Sequence, residues 1–495
     1  MIIENLIGFL DNKYDVNQTG GGKNKIKKTK LILYNMKSNQ TQSEDSETNS
    51  NSSSSLAKSN SSTLMPVLLI PLTNANTITV GIFIKAGSRD EIDSYGIAHF
   101  LEHMTFKGTS SISSKQLMIE LDSIGAHYNA MTGHEFTLYY ISGNPMDIKL
   151  LLKIIVDLYL DPIYPLEDIE KERNVVLEEM RMNEDSNQRR LINKLYNVLY
   201  GNLKSKLETL SRPIIGYNDT IEKLNRENIM SYRKNNYMGS NCLLCISGNF
   251  NKKEVLPLIE NNFNSKLDRI KINSKLFRSN IKSDNKIQLI STLKPNITKY
   301  IHIEKDINQT IINFVFNIYD TYNDNNIAID IICDILSNGF SSRLFNLLRN
   351  KMGVSYYNNS SSRNFNDIGN LIISVGVDHK SVLDTITNII KELKDIKKNG
   401  INQIELSKAK KQNETSLLFQ FKDPFEYLMH FGMNYLIKKP LYNISDILKE
   451  IENVELSNIN MLCNKIFTTD NIIIGSIGKL NTTIDKQINQ IINEL

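Results

Sequence analysis

The sequence has no apolar run that approaches the ~20 residues of a membrane-spanning helix, so no membrane segment is expected. It also has little excess charge. The formal net charge is +4, too small to indicate a nucleic acid or an anionic membrane surface as the partner. Only 4 cysteines are present, and few cysteines without a disulfide framework fit a reducing compartment. Residues 1–10 resemble neither a secretory signal peptide nor an arginine-rich presequence. We therefore expect an intracellular, cytoplasmic protein.

Two of the cysteines, Cys242 and Cys245, form a C-x-x-C within residues 241–248. This segment has the apolar composition of a buried strand. Side chains alternate along a strand, so residues three apart point to opposite faces. The alternatives are a second zinc site or a redox pair, but no partner pair of cysteines exists elsewhere. The pattern favours a buried strand.

The length of 495 residues suggests two or more domains. A content of 40% hydrophobic and 23% charged residues is ordinary for a globular chain. Residues 36–63 are rich in serine, asparagine and threonine, and such a segment buries too little apolar surface to offset its ordering entropy. It separates two strand-like runs at 30–34 and 67–70. Loop-closure entropy grows only logarithmically with length, so we expect these runs to pair across the insertion.

Histidine is also scarce, with 7 in the chain, yet two of them stand in His99-Phe100-Leu101-Glu102-His103. By chance such a His-x-x-Glu-His would be roughly a one-in-two-hundred event. A helix brings positions i and i+4 onto one face, so His99 and His103 can bind one metal ion together, with the Glu102 carboxylate beside it. The alternative is an ordinary solvated helix face.

A third ligand is available at Glu179, on a second predicted helix over residues 165–182. Two histidines and a carboxylate with an open fourth position are the usual ligands of catalytic zinc. Glu172 falls two turns earlier on the same face, where it could orient a histidine from behind. The sequence therefore predicts one Zn²⁺ per chain, bound by His99, His103 and Glu179.

The surrounding motifs carry a family resemblance. They are Ala86-Gly87-Ser88-Arg89-Asp90-Glu91, the segment 96–109, Gly125-Ala126-His127-Tyr128-Asn129-Ala130, residues 172–179, Ser341-Ser342-Arg343-Leu344-Phe345 and the segment 349–356. In combination they resemble the inverted-motif zinc peptidases of the pitrilysin and insulysin family. Within it they are similar to the processing-peptidase branch, that is, the catalytic β subunit of mitochondrial processing peptidase and its bacterial relatives. The resemblance covers most of residues 64–495.

The resemblance implies an α+β fold with two homologous halves, each a mixed sheet packed with helices, that form a clamshell. The expected parts are an N-terminal extension (1–29), a catalytic domain (30–265) with the insertion at 36–63, a linker (266–289) and an inactive domain (290–495). The predicted helix at 326–336 takes the place of the metal-binding helix in the second half. It contains no histidine, so no metal is expected there.

In the family, Glu102 is the general base that takes a proton from the attacking water. As an alternative, Glu102 could be a metal ligand, but it would have to bend back beside His103. The resemblance also places Asn129 and Ala130 on an edge strand to which the substrate adds as a further strand. It further implies that Arg349 and Tyr356 reach the substrate backbone when the halves close.

The predicted function is a zinc endopeptidase that cleaves extended peptides or unfolded protein segments. One alternative is a non-catalytic core subunit of the same fold. Another is a catalytic subunit that requires a related partner, since such chains form homodimers or heterodimers in the family. The intact set His99, Glu102, His103 and Glu179 favours an enzyme. Without paired spacing, the other histidines are interpreted as surface or core residues, namely His127, His134, His302, His379 and His430.

Overall fold

The computed structural model describes residues 2–5, 31–37, 63–264, 299–480 and 484–495. Most of the N-terminal extension, the insertion from 38 to 62 and the linker 266–289 lie outside these residues. The strands are β1 (Ile2–Asn5), β2 (Ile32–Lys37), β3 (Thr63–Pro71), β4 (Ile78–Ile84), β5 (Gly108–Thr109), β6 (Ile112–Ser113), β7 (His127–Thr132), β8 (Thr137–Gly143), β9 (Cys242–Gly248), β10 (Tyr300–Glu304), β11 (Thr310–Ile318), β12 (Ser355–Asn364), β13 (Gly369–Val377) and β14 (Ile472–Gly478).

The helices include those that the sequence predicts at 165–182 and 326–336. They are α1 (Ile97–Thr105), α2 (Ser114–Ser123), α3 (Ile148–Leu160), α4 (Leu166–Asp185), α5 (Asn187–Tyr200), α6 (Asn218–Ile221), α7 (Arg226–Asn236), α8 (Lys252–Asn264), α9 (Asn326–Ser337), α10 (Arg343–Phe345), α11 (Val382–Asn399), α12 (Gln403–Gln420), α13 (Pro424–Leu436), α14 (Ile444–Asn453), α15 (Leu456–Ile466) and α16 (Ile484–Ile492). None of these described helices combines the length and the apolar character needed to cross a membrane.

The first compact unit comprises the described parts of residues 1–172, 223–280 and 421–443. Its centre is a seven-stranded sheet with the order β1-β2-β3-β9-β4-β8-β7. Neighbouring strands are antiparallel except β3 and β9, which run parallel. The pairing of β2 with β3 confirms the predicted hairpin on either side of the insertion. Strand β7 forms one edge of the sheet.

Strand β4 shows that this sheet is covered on both faces. All seven residues of β4 are buried, although side chains alternate between the two faces. Val80 and Ile82 belong to an apolar cluster that includes residues of α3 and α8. Phe83 points the other way, towards α13, where a Cβ added at Gly432 would lie 2.3 Å from its ring. An apolar run without alternation is therefore the expected pattern for this strand.

The second unit comprises the described parts of residues 173–222, 281–420 and 444–495. Its five-stranded sheet has the order β10-β14-β11-β13-β12, again with one parallel pair, β10 and β14. Phe314 and Phe316 of β11 join a core with α9 and α11, whereas Val315 packs in a separate cluster with Leu191 and Leu195 of α5. The order of strands matches that of β3, β9, β4, β8 and β7, as expected for homologous halves.

Each unit includes one helical segment that the sequence-based boundaries assign to the other. Residues 173–222 belong to the second unit, and residues 421–443 belong to the first. The boundary at residue 172 falls inside α4, which continues without interruption to Asp185. The α+β fold with mixed sheets packed against helices is confirmed, whereas the boundaries 30–265 and 290–495 remain a prediction about the family domains.

Candidate metal centre

Helix α1 presents a polar face because its apolar residues are buried on the other side. The buried positions are Ile97, Ala98, Phe100, Leu101, Met104 and Thr105. They recur at the spacing of one helical face. His99, Glu102 and His103 are left on the opposite face, where each is partly exposed. The interaction of the two imidazoles at i and i+4 follows from this spacing, and their ring centroids are 4.7 Å apart.

The start of α1 is fixed by a buried carboxylate. Glu91 is 4% exposed, and its two oxygens accept hydrogen bonds from the backbone amides of Gly96 and Ala98 at 3.0 and 2.9 Å. These amides belong to the first turn, which has no intrahelical acceptor for them, and negative charge is favourable at a helix N-terminus. Gly96 has a φ of 93°, which glycine adopts without the steric cost of a side chain.

Replacement of Glu91 by alanine should lower the free energy of unfolding by about 1–3 kcal/mol, because buried amides lose a charged acceptor. Urea unfolding monitored by circular dichroism measures this change. Glu167→Ala is the matched control. Its side chain is 78% exposed and lies 3.7 Å from Lys171, so the loss should stay below about 1 kcal/mol. Equal losses in the two variants would contradict the assigned role of Glu91.

The structure brings His99, His103 and Glu179 together. One donor atom from each lies within 4.8 Å of the others, and all three residues are partly exposed. Glu179 is carried by α4, two turns after Glu172 on the same continuous helix. Among the described residues, this is the group of three histidine, cysteine or acidic side chains that is close enough to hold a metal ion.

Glu172 lies directly behind one of these histidines. Its Oε2 is 3.1 Å from Nδ1 of His103, and its Oε1 is paired with Nζ of Lys107. Burial alone would raise the pKa of Glu172, but the hydrogen bonds from His103 and Lys107 outweigh it and hold the pKa below its ordinary value. An ionised carboxylate can only accept, so Nδ1 of His103 carries the hydrogen of this bond. In a neutral imidazole with that hydrogen, Nε2 is the nitrogen with the lone pair that a metal needs.

These donors fit zinc. Two imidazole nitrogens and one carboxylate oxygen, with a fourth position left for water or substrate, are the ligands of catalytic zinc sites. A carboxylate hydrogen-bonded to the far nitrogen of a ligating histidine fixes the ring and raises its basicity, and Glu172 has that place beside His103. The residues that would hold zinc are therefore His99, His103 and Glu179.

Glu102 accepts a hydrogen bond that could not be predicted from the sequence. Thr132 Oγ1 donates a hydrogen bond to Glu102 Oε2 at 2.6 Å. Thr132 is the last residue of β7, 30 positions further along the chain. The carboxylate thus lies on the face of α1 that carries the two histidines, with one oxygen turned to the end of the edge strand.

The predicted substrate residues of the first half lie on that same edge strand. Asn129 and Ala130 are in the middle of β7 and pair with Tyr140 and Tyr139 of β8. Asn129 is exposed, and its Oδ1 accepts a hydrogen bond from the amide of Ala130 at 2.8 Å. On its outer side β7 has no neighbouring strand among the described residues.

Arg349 and Tyr356 belong to the second unit. Arg349 is exposed on the π-helical turn Asn346–Lys351 and donates through Nη1 to the carbonyl of Ser355 at 3.3 Å. Tyr356 lies in β12, at an irregularity in the pairing between Ser355 and Tyr357. Its side chain is outside the described part of the chain. The roles predicted for both residues remain predictions.

Cys242 and Cys245 are buried in β9 and are not joined in a disulfide. Cys242 belongs to the apolar cluster beneath α3. Burial raises the pKa of Cys242 to about 12, and it raises that of Cys245 still further above the ordinary value. The thiolate is the form that binds metals and reacts, so both side chains behave as core residues, consistent with the interpretation as a buried strand.

Two family models match this chain. Residues 67–213 match the family model described as insulinase (peptidase family M16), and residues 223–413 match the one described as the peptidase M16 inactive domain. A protease from Helicobacter pylori of known structure superimposes with a TM-score of 0.72 at 20% identity, covering 84% of this chain and 97% of that one. At that identity the likeness shows the fold.

Two relatives align with this chain over nearly the whole of their own length. An uncharacterized zinc protease from Rickettsia felis is 30% identical over 427 residues, which are 83% of this chain and 95% of the relative. An uncharacterized zinc protease from Bacillus subtilis is 27% identical over 396 residues, with 80% and 91% covered. These matches confirm the resemblance predicted from the motifs, and the chain belongs to the insulinase-type, or pitrilysin-type, peptidases of family M16.

Proposed function

We propose that this protein is a zinc-dependent endopeptidase that hydrolyses extended peptides or unfolded protein segments. The observation that carries the proposal is the convergence of His99, His103 and Glu179 to within 4.8 Å, with Glu102 on the same helix face. Relatives named as zinc proteases support it. A chain that had become a structural subunit would have no need to retain all four side chains.

Zinc bound by these residues would supply Lewis acidity towards a peptide carbonyl and towards a water molecule. Glu102 is the general base. It takes a proton from the water that attacks the scissile carbonyl and passes it to the leaving amine. Direct coordination by Glu102 is less compatible with its hydrogen bond from Thr132, which turns one carboxylate oxygen towards β7. Glu172 keeps the imidazole of His103 oriented.

Substrate is proposed to bind as an added strand along β7, next to Asn129 and Ala130. Main-chain pairing of this kind gives affinity without a strong sequence requirement, and it accepts only extended peptides. Folded proteins have few free extended segments, so they should be poor substrates.

Arg349→Ala should lower kcat/KM about 10- to 100-fold, because a charge-assisted hydrogen bond is worth about 1.5–3 kcal/mol. Zinc content should not change. Lys351→Ala is the matched control, since it removes an exposed positive charge from the same turn. Steady-state kinetics on one peptide compare the two. Unchanged kcat/KM in Arg349→Ala would show that this residue only supports its own turn through Ser355.

The proposed function is tested by incubating the purified chain with a mixture of unstructured peptides and identifying products by mass spectrometry. We expect cuts at internal bonds, inhibition by a chelator and recovery with zinc. If no peptide is cleaved, either by the chain alone or after a related subunit is added, the result would instead favour the non-catalytic core subunit.

Size-exclusion chromatography of the same sample distinguishes a monomer from a homodimer. Activity that is restored only by a second chain would indicate a heterodimer.

A further inference from the structure

We infer that Thr132 is a positioning residue that holds the carboxylate of Glu102 in the orientation needed for proton transfer. The inference rests on the proposed function, because it concerns the general base of that reaction. It starts from the hydrogen bond that Thr132 Oγ1 donates to Glu102 Oε2 at 2.6 Å. A bond between a hydroxyl and a carboxylate at this distance belongs to the short, charge-assisted class.

A glutamate on a helix surface has several rotamers available to it, and Glu102 is partly exposed. A general base must lie within hydrogen-bond reach of the proton that it accepts, and a misplacement of about 1 Å can cost roughly 10²-fold in rate. The hydroxyl of Thr132 holds one oxygen of this carboxylate, Oε2. It therefore favours one rotamer of Glu102 over the others.

Thr132 can do this only if its own position is fixed, and the turn that follows it is firmly attached. Gly133 donates to the carbonyl of Phe136 at 2.8 Å, which closes the turn between β7 and β8. Thr132 pairs with Thr137 across this turn. The hydroxyl of Thr137 is buried and donates to the carbonyl of Ala86 at 2.9 Å.

The turn is also attached to the loop that precedes α1. The amides of Ser88 and Arg89 donate to the carbonyls of Gly133 and His134 at 3.2 and 2.9 Å. The side chain of Arg89, 1% exposed, pairs with Glu135 at 2.7 Å. Thr132 is thus tied to the same loop that leads into α1.

The backbones of the turn and of the loop approach closely at this junction. A Cβ added at Gly87 would lie 2.3 Å from the carbonyl oxygen of Gly133. Such an approach of two backbones is possible only without a side chain. The turn that follows Thr132 and the loop that leads into α1 are therefore held together by backbone contacts.

Strand β7 carries both the proposed substrate-binding residues and the threonine that positions the general base. Asn129 and Ala130 lie on β7 only two or three residues before Thr132, which is roughly 7–10 Å along a strand. A peptide that pairs with β7 would engage the same strand that positions Glu102. Loss of the Thr132 hydroxyl should therefore reduce kcat, while KM and zinc binding, which depend on other groups, should change little.

The test compares Thr132→Val, which removes the hydroxyl at similar size, with Thr132→Ser, which keeps it. We expect Thr132→Val to lower kcat about 10- to 100-fold. Its KM should stay within about threefold and its zinc content near one per chain. Thr132→Ser should keep kcat within about threefold of the wild-type value, since the hydroxyl donor is retained. In the Glu102→Gln background, Thr132→Val should lower kcat by a further factor of less than about three. The reason is that the effects of residues that act through one another are not additive.

Several results would overturn the inference. One is a kcat for Thr132→Val close to that of the wild type. Another is an equal loss in Thr132→Val and Thr132→Ser, or loss of zinc from Thr132→Val, either of which would indicate a structural role. A full additional loss in the Glu102→Gln background would show that Thr132 does not act through Glu102. These outcomes require an active wild type, whereas an inactive wild type that binds zinc would reject the proposed function itself, and the inference with it.

Discussion

Replacing Glu102 by glutamine is expected to lower kcat for peptide hydrolysis by about 10²- to 10⁴-fold, the usual contribution of a general base, while zinc is retained. Glutamine has nearly the same size and can still accept the hydrogen bond from Thr132, but it cannot take a proton from water. The measurement is kcat on a defined peptide, with zinc determined by atomic spectroscopy in the same preparation.

The matched control is Glu120→Gln, which changes a partly exposed glutamate on the neighbouring helix α2. It should leave kcat unchanged. Cleavage by Glu102→Gln within about tenfold of the wild type would show that Glu102 is not the base. Loss of zinc from Glu102→Gln would point to the alternative, in which Glu102 is itself a metal ligand.

Replacing Glu179 by alanine is expected to weaken zinc binding by more than about 100-fold and to abolish cleavage. Even groups behind the ligands are worth about 10- to 100-fold in metal affinity, and Glu179 is proposed as a ligand, close to His99 and His103. Glu172→Gln should give the intermediate result, a loss of about 10- to 100-fold, because it weakens only the support of His103. Competition with a fluorescent chelator measures both.

The adjacent residue provides the control. Glu178 is 66% exposed at its side chain and pairs with Arg181 on the helix surface, so Glu178→Ala removes the same charge from the same helix. Its zinc affinity should match that of the wild type. If Glu178→Ala and Glu179→Ala lose zinc to the same extent, the effect comes from helix charge or stability, and the assignment of Glu179 as the third ligand is wrong.

The parts of the site that could be predicted from the sequence are those governed by local periodicity. The spacing of His99 and His103 places them on one face of α1 as soon as the segment is helical. Likewise, Glu172 and Glu179 lie two turns apart on α4. The apolar runs at 77–86 and 309–319 are typical of strands, and β4 and β11 lie there with almost every residue buried.

Long-range contacts could not be predicted in this way. Nothing in the spacing of Glu91 marks it as the acceptor at the start of α1, and a threonine at a strand end gives no sign of a partner 30 residues away. The helical segments 173–222 and 421–443 also joined units that their positions in the chain did not suggest. Leu191 and Leu195 of the first segment pack with Val315 of β11, and Gly432 of the second lies against Phe83 of β4. Both strands are distant in the chain from the segments that cover them.

The second half also contains features that could not be predicted from the sequence. The helix predicted at 326–336 is present as α9, but residues 346–351 form a π-helical turn that no spacing rule indicated. A π turn accommodates one extra residue within a helix, and this one carries Arg349. The pairing irregularity beside Tyr356 was likewise not predicted from the sequence.

The most direct measurement is a zinc titration of metal-depleted protein, followed by the rate of cleavage of one unstructured peptide. One site formed by His99, His103 and Glu179 predicts that activity is absent without metal, rises linearly and reaches a plateau at about one zinc per chain. The same titration of His103→Ala should give no activity at any zinc concentration near stoichiometric. Full activity in the metal-free protein, or a zinc-loaded wild type that leaves every peptide intact, would contradict the proposed zinc endopeptidase.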